Sequence, residues 1–155
     1  VSNNTVKNIF IRGVASGIGC GSDYAFRGIT AAGSGALNLT NNLIEDIEIK
    51  NITTDLNRGY QAYGIFLSTS NNSIIQGNTI RNIFCSDPAF QNRSVDIIAI
   101  YNAANSPTIT GNIIENIVNN NGTAITNNCG GVGGQRNSSI IGIENVSTGN
   151  PLFTN

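Results

Sequence analysis

Gly64-Ile-Phe-Leu-Ser-Thr-Ser-Asn-Asn-Ser-Ile-Ile-Gln-Gly-Asn-Thr-Ile-Arg-Asn-Ile83 decides the fold. It holds three short apolar segments separated by Ser, Asn and Gly. Each segment has the length of a strand, and each separator has turn chemistry. Its last six residues recur as Asn4-Thr-Val-Lys-Asn-Ile9, Asn42-Leu-Ile-Glu-Asp-Ile47 and Asn112-Ile-Ile-Glu-Asn-Ile117. The leading Asn residues, counted from Asn4 through Asn112, are spaced by 38, 36 and 34. A period in this range marks a solenoid, in which each repeat buries its apolar face only against its neighbours. Ile143-Glu-Asn-Val146 reads as a weaker fifth copy.

The alignment sorts side chains into columns with consistent chemistry. Val6, Ile44, Ile80 and Ile114 form one column; Ile9, Ile47, Ile83 and Ile117, with Val146 as a candidate fifth, form another. Asn8, Asp46, Asn82 and Asn116 form a polar column. Lys7, Glu45, Arg81 and Glu115 alternate in sign, although charge did not set the register. Stacked strands lie about 4.8 Å apart, so such a column places opposite charges side by side. The Asn columns are structural on this reading, their amides bonding from coil to coil.

A second strand is expected 14 residues before each leading Asn, aligning Gly28-Ile-Thr-Ala31, Gly64-Ile-Phe-Leu67 and Ile98-Ala-Ile-Tyr101. A third is expected after the following turn, at residues 37–39, 73–75 and 107–109. Three short strands per coil, in four to five coils, make an all-β solenoid: a right-handed parallel β-helix. One domain spans 1–155, with the repeat best defined over 4–117 and a degenerate last coil over 118–155. The stretch from Gly64 to Ile83 resembles the repeat of pectate-lyase-like proteins, and Gly149-Asn-Pro-Leu-Phe153 is similar to closing segments of secreted bacterial or archaeal β-helix proteins. That resemblance implies a fold, and not one function, because lyases, hydrolases, tailspikes, adhesins and passive stalks all share it.

Composition agrees with short strands and abundant turns. The chain has 26 Asn, 24 Ile and 18 Gly. Ile favours strands, whereas Asn favours turns and the left-handed backbone region. Charged residues make up 11% and the net charge is −1, which disfavours a nucleic-acid partner. No apolar run is long enough to span a membrane. The first residue is Val1 rather than Met, which fits a processed, secreted or cell-surface protein. Eight N-x-S/T sequons point the same way, at Asn3, Asn38, Asn51, Asn71, Asn92, Asn121, Asn137 and Asn145.

Chemistry is expected on the longer loops between first and second strands, at residues 12–27, 50–63, 86–97 and 119–131. Tyr24 and Tyr60 occupy equivalent places there, four residues before the aligned glycines. Carbohydrate binding would use Tyr24, Tyr60, Tyr63 and Tyr101 as platforms, with Arg58, Asp87 and Arg93 supplying polar contacts. A Ca²⁺-dependent lyase would draw on Asp55, Asp87 and Asp96 with Arg58 or Arg93, and a glycosidase on Asp55 with Asp87 or Asp96. These are single acids in separate loops, so no catalytic residue is assigned. The chain has no His, which excludes Ser-His-Asp and Cys-His nucleophile systems. No metal-ligand cluster or cofactor motif is found. Gly130-Gly-Val-Gly-Gly134 reads as a degenerate second strand and turn. Cys20 and Cys129 fall about three coils apart, too far for a disulfide, and Cys85 takes the place of Ile11 and Ile49 as a buried thiol.

The repeat runs almost from residue 1 and decays at the other end into Pro151-Leu-Phe153 without a capping helix. Open sheet edges of that kind favour association. Two explanations fit such ends: a subunit that stacks head to tail on itself, or a fragment of a longer β-helix whose other coils provide the caps. The expected function follows the first, a non-catalytic extracellular structural protein that assembles end to end. A carbohydrate-binding or polysaccharide-degrading domain is the alternative.

Overall fold

The computed structural model describes residues 1–12, 23–50, 60–69, 71–85, 95–120, 140–146 and 149–154. They form a three-sided parallel β-helix of four coils. Each coil contributes one strand to each sheet. The first sheet holds β1 (Thr5–Arg12), β4 (Leu43–Lys50), β7 (Thr79–Cys85) and β10 (Ile113–Asn119), in that order. The second holds β2 (Asp23–Gly33), β5 (Tyr60–Thr69), β8 (Val95–Asn102) and β11 (Ile140–Asn145). The third holds β3 (Asn38–Thr40), β6 (Ile74–Gln76), β9 (Thr108–Thr110) and β12 (Leu152–Thr154). No helix among the described residues is long and apolar enough to cross a membrane.

Left-handed Asn and Asp residues bend the first-sheet strands. Asn8, Asp46, Asn82 and Asn116 have φ of 56°, 56°, 54° and 51°. Each sits in the middle of a first-sheet strand and rotates it, so that residues three apart both face inward. That is why Ile44 and Ile47 are both fully buried although strict alternation would separate them. A second set of left-handed turns, Asn3, Asn41, Gly77 and Gly111, joins the third sheet to the first. Asn and Gly tolerate this region far better than other residues, which explains their abundance.

The corner beside the second set is a ladder of buried amides. Asn42 Nδ2 donates to Asn78 Oδ1 at 2.8 Å, and Asn78 Nδ2 donates to Asn112 Oδ1 at 2.8 Å. The backbone N–H groups of Asn42 and Asn78 donate to the same oxygens, at 3.0 and 2.9 Å. Asn4 repeats the pattern onto Asn42. The ladder runs one way, each coil donating to the next. The other polar column bonds in the opposite sense, each coil donating to the one before it: Asn82 Nδ2 to Asp46 Oδ1 at 2.9 Å, and Asn116 Nδ2 to Asn82 Oδ1 at 2.7 Å. In the charged column Arg81 forks onto Glu45 Oε2 at 2.9 and 2.7 Å and lies 3.7 Å from Glu115.

Between these corners the core is stacked Ile and Leu. Leu39, Ile75 and Ile109 form the third-sheet column, with Phe153 in the fourth coil. Ile29, Ile65, Ile100 and Ile143 form the second-sheet column. Each fully buried Ile contributes about 1.5–3 kcal/mol relative to exposure. Cys85 pairs with Ile49 in register and is a buried cysteine outside any disulfide, as expected from its column. Cys20, Cys129 and Gly130–Gly134 lie outside the described residues.

Four readings of the sequence are corrected. Residues 140–145 join the second sheet, pairing with β8 through Ile143↔Ile100, so Ile143–Val146 is not a fifth first-sheet copy and Val146 leaves the Ile9 column. In the third coil Gly64 stands opposite Ala99, one residue beyond Ile98, because Ile65 pairs with Ile100. The turn after β8 is one residue shorter than its counterparts. Asn102 spans it with its side chain, bonding Ala104 N at 3.3 Å and Ala104 O at 3.2 Å. Tyr24 and Tyr60 are offset: a bulge puts Asp23 opposite Tyr60 and Tyr24 opposite Gln61. Finally, β2, β5 and β8 start earlier than expected, so Tyr24, Tyr63 and Asp96 lie on strands and not on loops.

Candidate functional site

The outer face of the second sheet gathers the aromatic residues. Ile65 and Leu67 of β5 point inward and are fully buried, so Phe66 between them points out. Register sets Thr30, Phe66, Tyr101 and Glu144 side by side, and Arg27, Tyr63 and Ile98 in the next outward column. The Phe66 and Tyr101 rings stack at 4.7 Å with an interplanar angle of 4°. Tyr63 meets both edge-on, at 5.1 and 5.5 Å. The Arg27 guanidinium caps the stack 4.1 Å from the centre of Phe66 and 5.9 Å from that of Tyr63. Such cation–ring contacts contribute about 0.5–2 kcal/mol. The Tyr63 hydroxyl donates to Gln61 Oε1 at 2.6 Å, and Tyr63 itself is only 3% exposed.

This geometry determines what the cluster offers a ligand. A sugar stacks on a free ring face. Both faces of Phe66 are taken, one by Arg27 and the other by Tyr101. Tyr63 is buried and turns its edge to the stack. Tyr101 remains half-buried, with Glu144 as its neighbour in the next coil. The cluster therefore packs the outside of the sheet more than it displays rings.

Of the expected binding residues, Tyr63 and Tyr101 come together. Tyr24 and Tyr60 lie on the leading ends of β2 and β5, offset by the bulge. Arg58, Asp87 and Arg93 lie outside the described residues, as does Asp55. Asp96 is 3% exposed, on β8 in register with Gln61. Phe66 and Arg27 complete the cluster, and sequence reasoning missed the Phe66–Tyr101 pair. The alignment through Ile98 places Tyr101 opposite Leu67; the Ala99 register places it opposite Phe66. The short turn spanned by Asn102 was the available signal.

The sequon residues divide by exposure. Asn3, Asn38 and Asn71 are exposed. Asn145 is half-buried, and its Oδ1 accepts from Asn102 Nδ2 at 2.7 Å inside the coil. Asn51, Asn92, Asn121 and Asn137 lie outside the described residues.

The terminal coils present a second candidate surface. At the C-terminal end Ile113, Ile140, Leu152 and Phe153 are 52%, 50%, 55% and 48% exposed. A hollow opens there, lined by Ile109, Asn112, Ile143 and Phe153. The same positions of the second sheet in the first coil, Phe26 and Ile29, are only 9% and 7% exposed. The chain matches no family model, no curated protein and no solved structure.

Proposed function

We propose that the chain is a non-catalytic structural subunit of an extracellular filament or surface layer, stacking head to tail on copies of itself. The polarity of its columns carries this reading. The charged column begins with Lys7 and ends with Glu115, and its members alternate in between. Adding a copy below the C-terminal coil sets Glu115 beside the new Lys7, whereas head-to-head or tail-to-tail contacts oppose like charges. The Asn ladder has the same sense, since each coil donates to the one after it. A new Asn4 carbonyl below Asn112 continues that direction. The exposed Ile140, Leu152 and Phe153 supply the apolar area, and the outer strands β10 and β1 supply parallel edges. A heterologous contact of this kind need not close, and it then grows as a fibre.

Secretion and glycosylation are supported by the exposed sequons at Asn3, Asn38 and Asn71, and kinship with pectate-lyase-like proteins by the repeat alone. Polysaccharide binding or cleavage is the weaker reading. The ring faces of the second-sheet cluster are turned on one another, and Asp96 is buried.

Negative-stain electron microscopy of the 155-residue chain at neutral pH, over a concentration series, tests assembly. Uniform fibres whose number grows with concentration support it. Discrete particles of monomer mass at the highest concentration overturn it, and a polysaccharide screen with and without Ca²⁺ then becomes the next step.

A further inference from the structure

We propose that the outer face of the first sheet is a lateral docking surface for a second copy of this chain, turned so that the coils of the two run in opposite order. This face differs from the other two. The outward residues of the third sheet are uncharged, Asn38, Thr40, Gln76, Thr108 and Thr110 among them. On the second sheet the outward Tyr63 and Ile98 are 3% and 0% exposed, so that column is already covered. On the first sheet two outward columns stand open. One is Lys7, Glu45, Arg81 and Glu115; the other is Phe10, Glu48, Phe84 and Val118. Phe10 is 64% exposed, the most of any large apolar residue among those described, and Phe84 is 37% exposed.

The order of charges selects the occupant. Down the coils the first column reads cation, anion, cation, anion. Reversed, it is its own complement. Turning a second copy by half a turn about the strand direction lays face on face. Each column then stays opposite itself while the coil order reverses. Lys7 faces Glu115 of the second copy, and Glu45 faces Arg81 of the second copy. The two-fold symmetry makes each of these pairs twice. In the columns alongside, Phe10 faces Val118 and Asp46 faces Asn82, each of the second copy. Phe84 faces Glu48 of the second copy, whose carboxylate is already paired with Lys50 of its own chain. No like charges meet in these columns. A half turn about the solenoid axis sets the charged column against the Phe10 column instead, and Glu45 then opposes Glu48. Like charges placed so discriminate against that arrangement.

The size of the face fits a modest contact. Facing sheets pack about 10 Å apart, within reach of these side chains from both sides. Strand spacing and residue rise give the face roughly 500 Å² per copy. The total of about 1,000 Å² lies at the low end for specific interfaces. Such a contact is weak for one pair of chains and gains by repetition wherever copies are also joined end to end. It does not depend on that joining, because Glu45 and Arg81 lie in the middle coils, which end-to-end stacking leaves untouched.

Those two residues therefore supply the test. Glu45→Arg puts two cations face to face across the contact, and Arg81→Glu puts two anions there. Each variant alone is expected to associate about tenfold more weakly than the intact chain, by sedimentation velocity over a concentration series at low salt. An equimolar mixture of the two variants places cations on one copy opposite anions on the other at both positions. The mixture should associate about as tightly as the intact chain. A mixture as weak as its components overturns the proposal, as does association that neither variant changes. Fibres that form undiminished in both variants leave stacking standing and the lateral face overturned. Paired particles without fibres, lost in each variant and regained on mixing, support the face and remove stacking. A chain that stays monomeric at the highest concentration overturns both. Should either variant fail to fold by circular dichroism, Phe84→Ser is read in its place: weaker association supports the face, and unchanged association overturns it. Retention of a monomeric chain on an insoluble polysaccharide, lost in Phe84→Ser, overturns it by giving the rings to a sugar.

Discussion

The Asn4–Asn42–Asn78–Asn112 corner and the Gly28–Gly64–Ala99–Gly142 column each place one residue per coil beside the core, yet only the first keeps its identity through all four coils. The two columns answer to different physics. In the corner, Asn42 and Asn78 are 1% and 0% exposed, and every rung must both donate and accept. No other side chain offers an acceptor and two donors at that reach, so substitution leaves buried polar atoms unpaired. The other column only has to be small. A Cβ on Gly28 or Gly64 would lie 2.6 Å from the carbonyl oxygen of the next coil, and the Ile44 and Ile80 side chains press in from the first sheet. Any residue that fits will serve, and Ala99 does.

The largest test of this contrast is Asn78→Leu. It removes the amide that bonds Asn42, Asn112 and the Leu39 carbonyl, and strands several buried groups together. A loss of about 3–5 kcal/mol is expected in urea unfolding, since each orphaned group costs about 1–3 kcal/mol. A loss under about 1 kcal/mol would mean that the ladder is dispensable and that the repeat is held by its apolar columns alone.

Next comes Gly64→Ala set against Gly142→Ala, the same change in the same column. At Gly64 the new methyl meets Ala99 O at 2.6 Å and Ile80 Cγ2 at 2.9 Å; at Gly142 the nearest atom is Ile114 Cδ1 at 4.0 Å. The first variant should lose about 1–3 kcal/mol by overpacking, and the second should stay within about 0.5 kcal/mol of the parent. Equal losses would sink the steric account of this column.

The same contrast explains what was legible beforehand. The leading Asn residues, the charged column and the Cys85 position were all readable, because each repeats a chemical requirement that leaves few substitutes. The second sheet was readable only in part. Its inward residues need volume, not identity, so Ile98-Ala-Ile and Ala99-Ile-Tyr fit the pattern about equally well. A one-residue slip hid the pairing of Phe66 with Tyr101. Residues 140–145 were misread for a related reason: Ile143-Glu-Asn-Val imitates the first-sheet motif, and only its pairing with β8 shows where it belongs. Of the candidate site, the four tyrosines were visible as a group, but the arrangement that turns the Phe66 and Tyr63 rings inward on the cluster depends on register.

A smaller effect separates backbone strain from amide bonding in the exposed polar column. Asn82 has φ 54° and bonds Asp46 and Asn116 through its side chain. Asn82→Ala loses both advantages and should cost about 1–2 kcal/mol, whereas Asn82→Gly keeps the left-handed conformation and should cost less, within about 1 kcal/mol. If the Gly variant lost as much as the Ala variant, the left-handed turn would contribute nothing measurable and the lost amide bonds would account for the whole effect at this corner. Thermal unfolding of the pair reads the difference directly.

The smallest expected effect is at Arg81, although its geometry is the most conspicuous on the surface. Its forked contact with Glu45 raises the guanidinium pKa above its ordinary value, chiefly through the hydrogen bond and next through the charge. A raised pKa on a cation stabilises the folded state below the ordinary value and is lost only as pH rises through the folded one. Arginine is charged throughout the neutral range, so Arg81 adds no pH dependence there. The Arg81 side chain is also 41% exposed, and solvent screens the pair. Arg81→Gln should therefore lower the urea midpoint only slightly at low salt, and less still in molar salt. This is compatible with the role proposed for the column in head-to-tail assembly, where its sign would matter more than its strength. Alternating charge contributes little to holding one chain together, but it discriminates between a neighbour that continues the pattern and one that reverses it. A large, salt-insensitive drop in the urea midpoint on Arg81→Gln would instead make the column a stabilising element of the single chain and remove that argument for polarity.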